Sequence, residues 1–253
     1  KHFRLIGLIA SFVCQGGVAI MAEPPKKRYK LSYFDCRGRA ELTRLIFAYG
    51  GIEYEDDRVR RSDFADMKAA GAFPFGQFPV LSVDGGPSYS QSYAIAKYAA
   101  KLCGLMPADA EEQLACDMLI LTTEDVRSKI IPIRYSGKLG DERLALYDNF
   151  YQNLLPGFLA NFQKQLAGKN FFVADNLSVA DFAVFNMCLY LTFPCCEVQA
   201  SSEAAKKQQL ECLDAFPELK QHKARMEALE AVEKYLAERP VQEHDNVVTM
   251  PGK

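Results

Sequence analysis

The stretch from Tyr29 to Val59, "YKLSYFDCRGRAELTRLIFAYGGIEYEDDRV", constrains the fold more than any other part of the chain. It opens with an alternating segment, turns at Arg-Gly-Arg, carries a helical apolar pattern, stops at Gly50-Gly51 and then alternates again. A strand, a helix and a second strand in so few residues imply a parallel pair joined by a right-handed crossover. "FPVLSV", the turn "DGG" and a short return strand read as a hairpin. Pro79 has no backbone donor, so it marks a strand beginning, an edge or a cis bond. "SQSYAIAKYAAKL" closes this half as a helix with a serine near its first turn.

After "GLMPADAEEQ" the rhythm changes. From Glu111 to about Leu236 the apolar residues recur at helical steps, as in "LACDMLILTTEDVRSKI" and "DERLALYDNFYQNLLPGFLANFQKQL". "NLSVADF" carries a helix start, with Ser178 as N-cap, Asp181 three residues on, and Leu177 and Phe182 as a hydrophobic staple. The expected division is a small α/β domain over 29–104, a linker around 103–110, and an all-helical domain over 111–240. The polar centre of the 196–211 segment, Ser201 to Gln209, reads as a loop or an exposed helix, and 241–253 as a flexible tail.

Several function classes are set aside by composition. The formal net charge is −2 with both signs dispersed, and no basic block could follow a phosphate backbone, so nucleic acid is not the expected partner. Eight cysteines include no CxxC pair, and none of the three histidines lies near a cysteine cluster, so no zinc site is expected. The cysteines read as reduced thiols of a reducing compartment. The only long apolar stretch is at the N-terminus, and no membrane span is expected. Residues 1–28 stand outside the expected fold, either as a signal-like segment that would direct secretion or as sequence upstream of an initiator at Met21. The second option gives a cytoplasmic protein.

The order of elements, with a proline opening the mid-chain strand, resembles the thioredoxin-like fold. The helical second half resembles the cytosolic glutathione transferases. "YKLSYFDCRGRAELTRLIFA", "PFGQFPVLSVDG", "SQSYAIAKY" and "VADNLSVADF" together resemble their sigma class, over roughly Tyr29 to Pro240. That resemblance implies conjugation of reduced glutathione to hydrophobic electrophiles, with no metal and no tightly bound cofactor. It also leaves room for prostaglandin D isomerisation, peroxide reduction, or a non-catalytic relative like the cephalopod lens crystallins.

By the same resemblance Tyr33 is the catalytic tyrosine, and Arg39, the second catalytic residue, stands close to its hydroxyl and helps hold the negative charge. Gln91 and Ser92, at a helix start whose N–H groups attract a carboxylate, hold the γ-glutamyl end. Phe78, before Pro79, offers its backbone to the cysteinyl part, and Gln77 and Lys68 reach the glycyl carboxylate. Phe64 stands where the family commonly has a tryptophan, and this chain has none, so one donor to that carboxylate is missing. Asp125 matches an acid that reaches the ammonium in a neighbouring subunit, which implies a homodimer.

The chemistry can be stated without the family. A free thiol has a pKa of about 8.5 and is mostly protonated at neutral pH. A tyrosine hydroxyl donating to the sulfur favours the thiolate. Taken alone, Tyr33 would be a packing tyrosine, Arg39 a solvated charge, and Lys68 and Asp125 surface residues. Cys36, three residues after Tyr33, reads as a loop thiol.

Overall fold

The computed structural model describes residues 27–138, 140–192 and 203–240. Four strands form one sheet: β1 Tyr29–Phe34, β2 Tyr54–Val59, β3 Val80–Val83 and β4 Ser88–Ser90, in the order β2-β1-β3-β4. β1 runs parallel to β2, with Tyr33 opposite Arg58, and antiparallel to β3, with Leu31 opposite Leu81. Between the parallel strands lies helix α1, Glu41–Tyr49, and before the hairpin lies the short helix α2, Phe64–Ala69. Helix α3, Ser92–Leu102, packs against α1 through Ile95, Ala96, Ala99 and Ala100, all fully or almost fully buried. Small residues there let the two helices approach closely.

α1 ends where the sequence said it should. Gly50 caps it, and Gly51 follows at φ +61°, a left-handed conformation that costs glycine nothing. The Phe78-Pro79 bond is cis, and Pro79 sits directly before β3. Arg28, expected outside the fold, belongs to its edge. Its N–H donates to Asp84 Oδ1 at 2.8 Å, and the Asp84 N–H donates to its carbonyl. The rest of the extension, the tail from 241 and residues 193–202 lie outside the described residues.

The helical half comprises α4 Ala110–Arg134, α5 Gly140–Asn149, α6 Leu155–Leu166, α7 Val179–Leu191, α8 Glu203–Leu210, α9 Pro217–Glu227 and α10 Glu230–Glu238. α7 is apolar on almost every side and forms the centre of this half against α4. The helical pattern over 141–166 is interrupted by a π turn at Phe150–Leu154. Pro156, in the first turn of α6, has no N–H and would clash with the carbonyl four residues back, so the backbone widens there. The polar 201–209 segment is helical from Glu203, and it is not wholly exposed. Gln209 is buried and donates to the Tyr151 hydroxyl at 3.0 Å.

At the start of α7 the Ser178–Asp181 capping box is present. The Asp181 carboxylate also accepts from the Phe172 N–H and from His222 Nε2, both at 3.0 Å, joining α7 to α9 in the core. The described cysteines, Cys36, Cys103, Cys116, Cys188 and Cys212, are thiols rather than disulfides. No described helix is long and apolar enough to cross a membrane.

Candidate active site

The Arg-Gly-Arg turn wraps around the end of β1. Tyr33 is 8% exposed, and its hydroxyl accepts a hydrogen bond from the Arg39 N–H at 3.0 Å. Gly38, at φ +43°, presses against the ring, and a Cβ there would lie 2.6 Å from Tyr33 Cε1. Only glycine satisfies both the backbone conformation and the close approach. The loop is held from below by Arg44, fully buried in α1, which donates to the Cys36 carbonyl at 2.8 Å and the Arg37 carbonyl at 3.4 Å. Because one hydrogen bond is accepted from the backbone, the phenolic proton of Tyr33 remains available for donation. Burial, reinforced by Cys36, pushes its pKa up, partly offset by the Arg39 N–H and Arg127. The hydroxyl therefore stays protonated, as a donor must.

Gly38→Ala tests this arrangement. The added methyl must displace the Tyr33 ring or the turn, at a cost of about 1–3 kcal/mol. Thiol conjugation, the activity that the sequence resemblance implies, is expected to fall at least tenfold while the circular dichroism spectrum stays unchanged. Unaltered turnover would show that the turn does not hold Tyr33 in its working position.

Above Tyr33 lies a cleft of about 640 Å³ between the two halves, lined by Phe34, Arg39, Phe64, Gln77, Phe78, Gln91, Ser92, Tyr93 and Glu124 among others. Six of the residues singled out from sequence thus meet on one surface: Arg39, Phe64, Gln77, Phe78, Gln91 and Ser92. Pro79 is buried behind Phe78, and Tyr33 lies just under the surface, with its ring 6.3 Å from that of Phe78. Lys68 is exposed and passes over Gly76, where a Cβ would come within 2.8 Å of its Cε. Asp125 is exposed on α4 and does not line the cleft.

Gln91 adopts φ +78°, ψ 105°, outside the usual region for a side-chain-bearing residue, and serves as N-cap of α3 without a side-chain cap bond. Ser92 follows as the first helical residue, so it is the start of the helix and not its cap. The free N–H groups of this first turn open onto the cleft. Phe64 sits in an aromatic cluster, 5.1 Å from Phe34 and 5.2 Å from Phe78, offering area but no donor.

Two polar lining side chains, Glu124 and Tyr93, were missed by the sequence reading. Glu124, one position before Asp125, accepts Arg39 at both oxygens, at 3.1 and 2.5 Å, and the Tyr93 hydroxyl at 2.7 Å. Burial works against its charge, but Arg39 and Tyr93 outweigh it and hold the carboxyl below its ordinary range. Burial and Glu124 push the Tyr93 pKa up to about 12. The Arg39 guanidinium is therefore engaged with Glu124 across the domain boundary, and its backbone is what touches Tyr33. The only signal in the sequence was the acidic pair on a helix facing the α/β half, which does not say which acid points inward.

Comparison with known proteins agrees with this layout. Residues 29–101 match the glutathione S-transferase N-terminal domain, and residues 124–239 match a glutathione S-transferase C-terminal domain. Hematopoietic prostaglandin D synthase of Gallus gallus is 32% identical over 212 residues, covering 84% of this chain and 96% of that one. Probable glutathione S-transferase 5 of Caenorhabditis elegans is 34% identical over 223 residues, covering 84% and 97%. Among solved structures, rat hPGDS complexed with a quinoline superposes with a TM-score of 0.71 at 28% identity, covering 85% of this chain and 99% of that one. A thioredoxin-like sheet domain and a helical domain behind it are what these relatives share with it: the chain belongs to the glutathione S-transferase family.

Proposed function

We propose that this protein is a glutathione transferase of sigma type, conjugating the thiolate of reduced glutathione to hydrophobic electrophiles, with Tyr33 as the hydrogen-bond donor to the sulfur. The observation that carries this reading is the hydroxyl of Tyr33. It is buried behind the cleft-lining rings of Phe34 and Phe78, occupied as an acceptor by the Arg39 N–H, and kept protonated by its surroundings. A donor to the sulfur is what thiolate formation requires, and no general base is needed. Nucleophilic attack then forms the carbon–sulfur bond while the leaving group departs with its electron pair. Arg39 acts through position: its N–H orients the tyrosine, and its side chain ties the loop to Glu124.

Glutathione fits the remaining polarity. Its γ-glutamyl carboxylate would meet the N–H groups at the start of α3, beside Gln91 and Ser92, and its cysteinyl backbone would pair at Phe78. Lys68 and Gln77 would serve the glycyl carboxylate, with Phe64 packing against it in place of a donor. Conjugation of 1-chloro-2,4-dinitrobenzene by the purified protein, with binding of glutathione measured by calorimetry, tests the reading. Absence of both turnover and glutathione binding would overturn it. A second reading, prostaglandin D isomerisation at the same site, is favoured by the likeness to the Gallus gallus enzyme, and prostaglandin H as substrate separates the two.

A homodimer is part of this reading. Leu114, Met118 and Leu121 of α4 are 69%, 49% and 59% exposed at steps of four and three, a contiguous apolar stripe. Phe75, 71% exposed, and Tyr89, 54% exposed, add large apolar area on the α/β half. An isologous interface would cover such surfaces and bring Asp125 toward the partner's cleft. Sedimentation is expected to give twice the chain mass for the native protein. Met118→Asp is expected to give the monomer; a native chain that sediments as a monomer would remove Asp125 from the site.

A further inference from the structure

Helix α4 brings an acid and a cation to the same side of the cleft, one turn apart. The acid, Glu124, is engaged twice, by Arg39 and by Tyr93. The cation, Arg127, is not. No ion pair or hydrogen bond joins its guanidinium to a described residue, and its Nε is closed off from solvent with no partner. Its guanidinium lies over the Tyr190 ring of α7, with Cζ 5.4 Å from the ring centroid. Its charge nonetheless reaches the cleft, because it draws down the pKa of Tyr33, Tyr93 and Glu124 alike.

Beside Arg127 is a small void of about 30 Å³, bordered by Tyr93, Thr123, Met187 and Tyr190. Tyr93 lines both this void and the main cleft, so a single side chain stands between the two spaces. The volume is about that of one water in the liquid, room for one small group and not for a whole ligand. Leu42, Val126 and Ile130 make much of the remaining wall apolar. With no described carboxylate in direct contact and its Nε closed off without an acceptor, the half-buried guanidinium is short of hydrogen-bond partners, and an arriving anion supplies them.

We propose that Arg127 determines electrophile specificity, selecting flat apolar electrophiles that carry an anionic or strongly accepting group such as a carboxylate. The group enters the void beside Arg127 while the ring stays in the cleft near Tyr33, where the thiolate attacks. This rests on the glutathione transferase reading given above. The electron count is that of aromatic substitution: the thiolate pair forms the carbon–sulfur bond, and chloride leaves with the carbon–chlorine pair.

The test compares 4-chloro-3-nitrobenzoate with its methyl ester, using the full chain, Arg127→Met and Arg127→Lys. The quantity read is the ratio of kcat/KM for acid over ester, so intrinsic reactivity cancels between proteins. Arg127→Met is expected to lower that ratio about tenfold, the effect of losing one partly desolvated charge pair. Arg127→Lys should restore most of it, and KM for glutathione should not move. An equal ratio in native protein and Arg127→Met overturns the proposal, even with both substrates turned over.

If neither compound is turned over, the transferase reading fails separately and binding decides the proposal. Anionic 8-anilinonaphthalene-1-sulfonate should then bind the native chain about tenfold more tightly than Arg127→Met, with neutral N-phenyl-1-naphthylamine unaffected. Equal binding of the anionic dye to both proteins would overturn it.

Discussion

Tyr33→Phe is expected to lower kcat/KM for conjugation about 10- to 100-fold at mildly acidic to neutral pH, and the deficit should shrink as pH rises. A hydrogen bond to an ionised group contributes roughly 1.5–3 kcal/mol. At about 1.4 kcal/mol per pKa unit, that lowers the bound thiol by about one to two units from its free value near 8.5. In the variant the thiol returns toward that value. The thiolate fraction at about pH 6.5 falls accordingly, while at about pH 9.5 both proteins carry thiolate and their rates converge. The phenylalanine keeps the ring contacts with Phe34 and Phe78, so the fold should persist. Glutathione should still bind. Rates that match the native protein across the whole pH range would remove Tyr33 from the mechanism and leave Arg39 or Cys36 to explain activity.

The largest effect on stability is expected from Asp181→Ala. This carboxylate is completely buried and accepts four hydrogen bonds: the Phe172 N–H at 3.0 Å, the Ser178 N–H at 2.8 Å, Ser178 Oγ at 2.9 Å, and His222 Nε2 at 3.0 Å. Removing it strips the cap from α7, leaves donors stranded in the core and opens a small cavity. Breaking a buried pair by deleting one partner costs about 3–5 kcal/mol. A protein this size has about 5–15 kcal/mol in total, so the melting temperature should fall by roughly 6–20 °C. Asp181→Asn retains the volume and should fall between the two. A loss below about 1 kcal/mol in urea titration would mean that water or rearrangement replaces the carboxylate.

The strand–turn–helix opening, the hairpin after Pro79 and the Ser178 cap were legible in the sequence, because local periodicity and turn chemistry decide them. What could not be read was where side chains point after the two halves meet. Glu124 and Asp125 are adjacent, so on a helix they face about 100° apart, and only the packed structure says that Glu124 faces the cleft. Arg44 sits in an amphipathic helix where a charge is normally solvated, yet it is buried against Asp56, 3.0 Å away, and beneath the loop carbonyls. Gly38 was visible as a turn residue, but its contact with Tyr33 depends on the loop folding back on its own strand. The π turn before Pro156 escaped notice because it keeps a helical pattern of apolar residues while shifting its phase.

Glu41, at the start of α1, is 2% exposed, and its carboxylate is met by Arg239 at 2.7 Å across a sequence separation of 198 residues. The same carboxylate lies 3.6 Å from Arg44, which holds the loop around Tyr33. For a chain emerging from the ribosome, this sets an order of events. The α/β half is exported first and can form its sheet early, but Glu41 and Arg44 share one side of their network until residue 239 appears. The residues that shape the loop under the cleft are therefore completed by a segment synthesised 198 residues after them. A nascent chain stalled before Arg239 carries an acid buried without that partner.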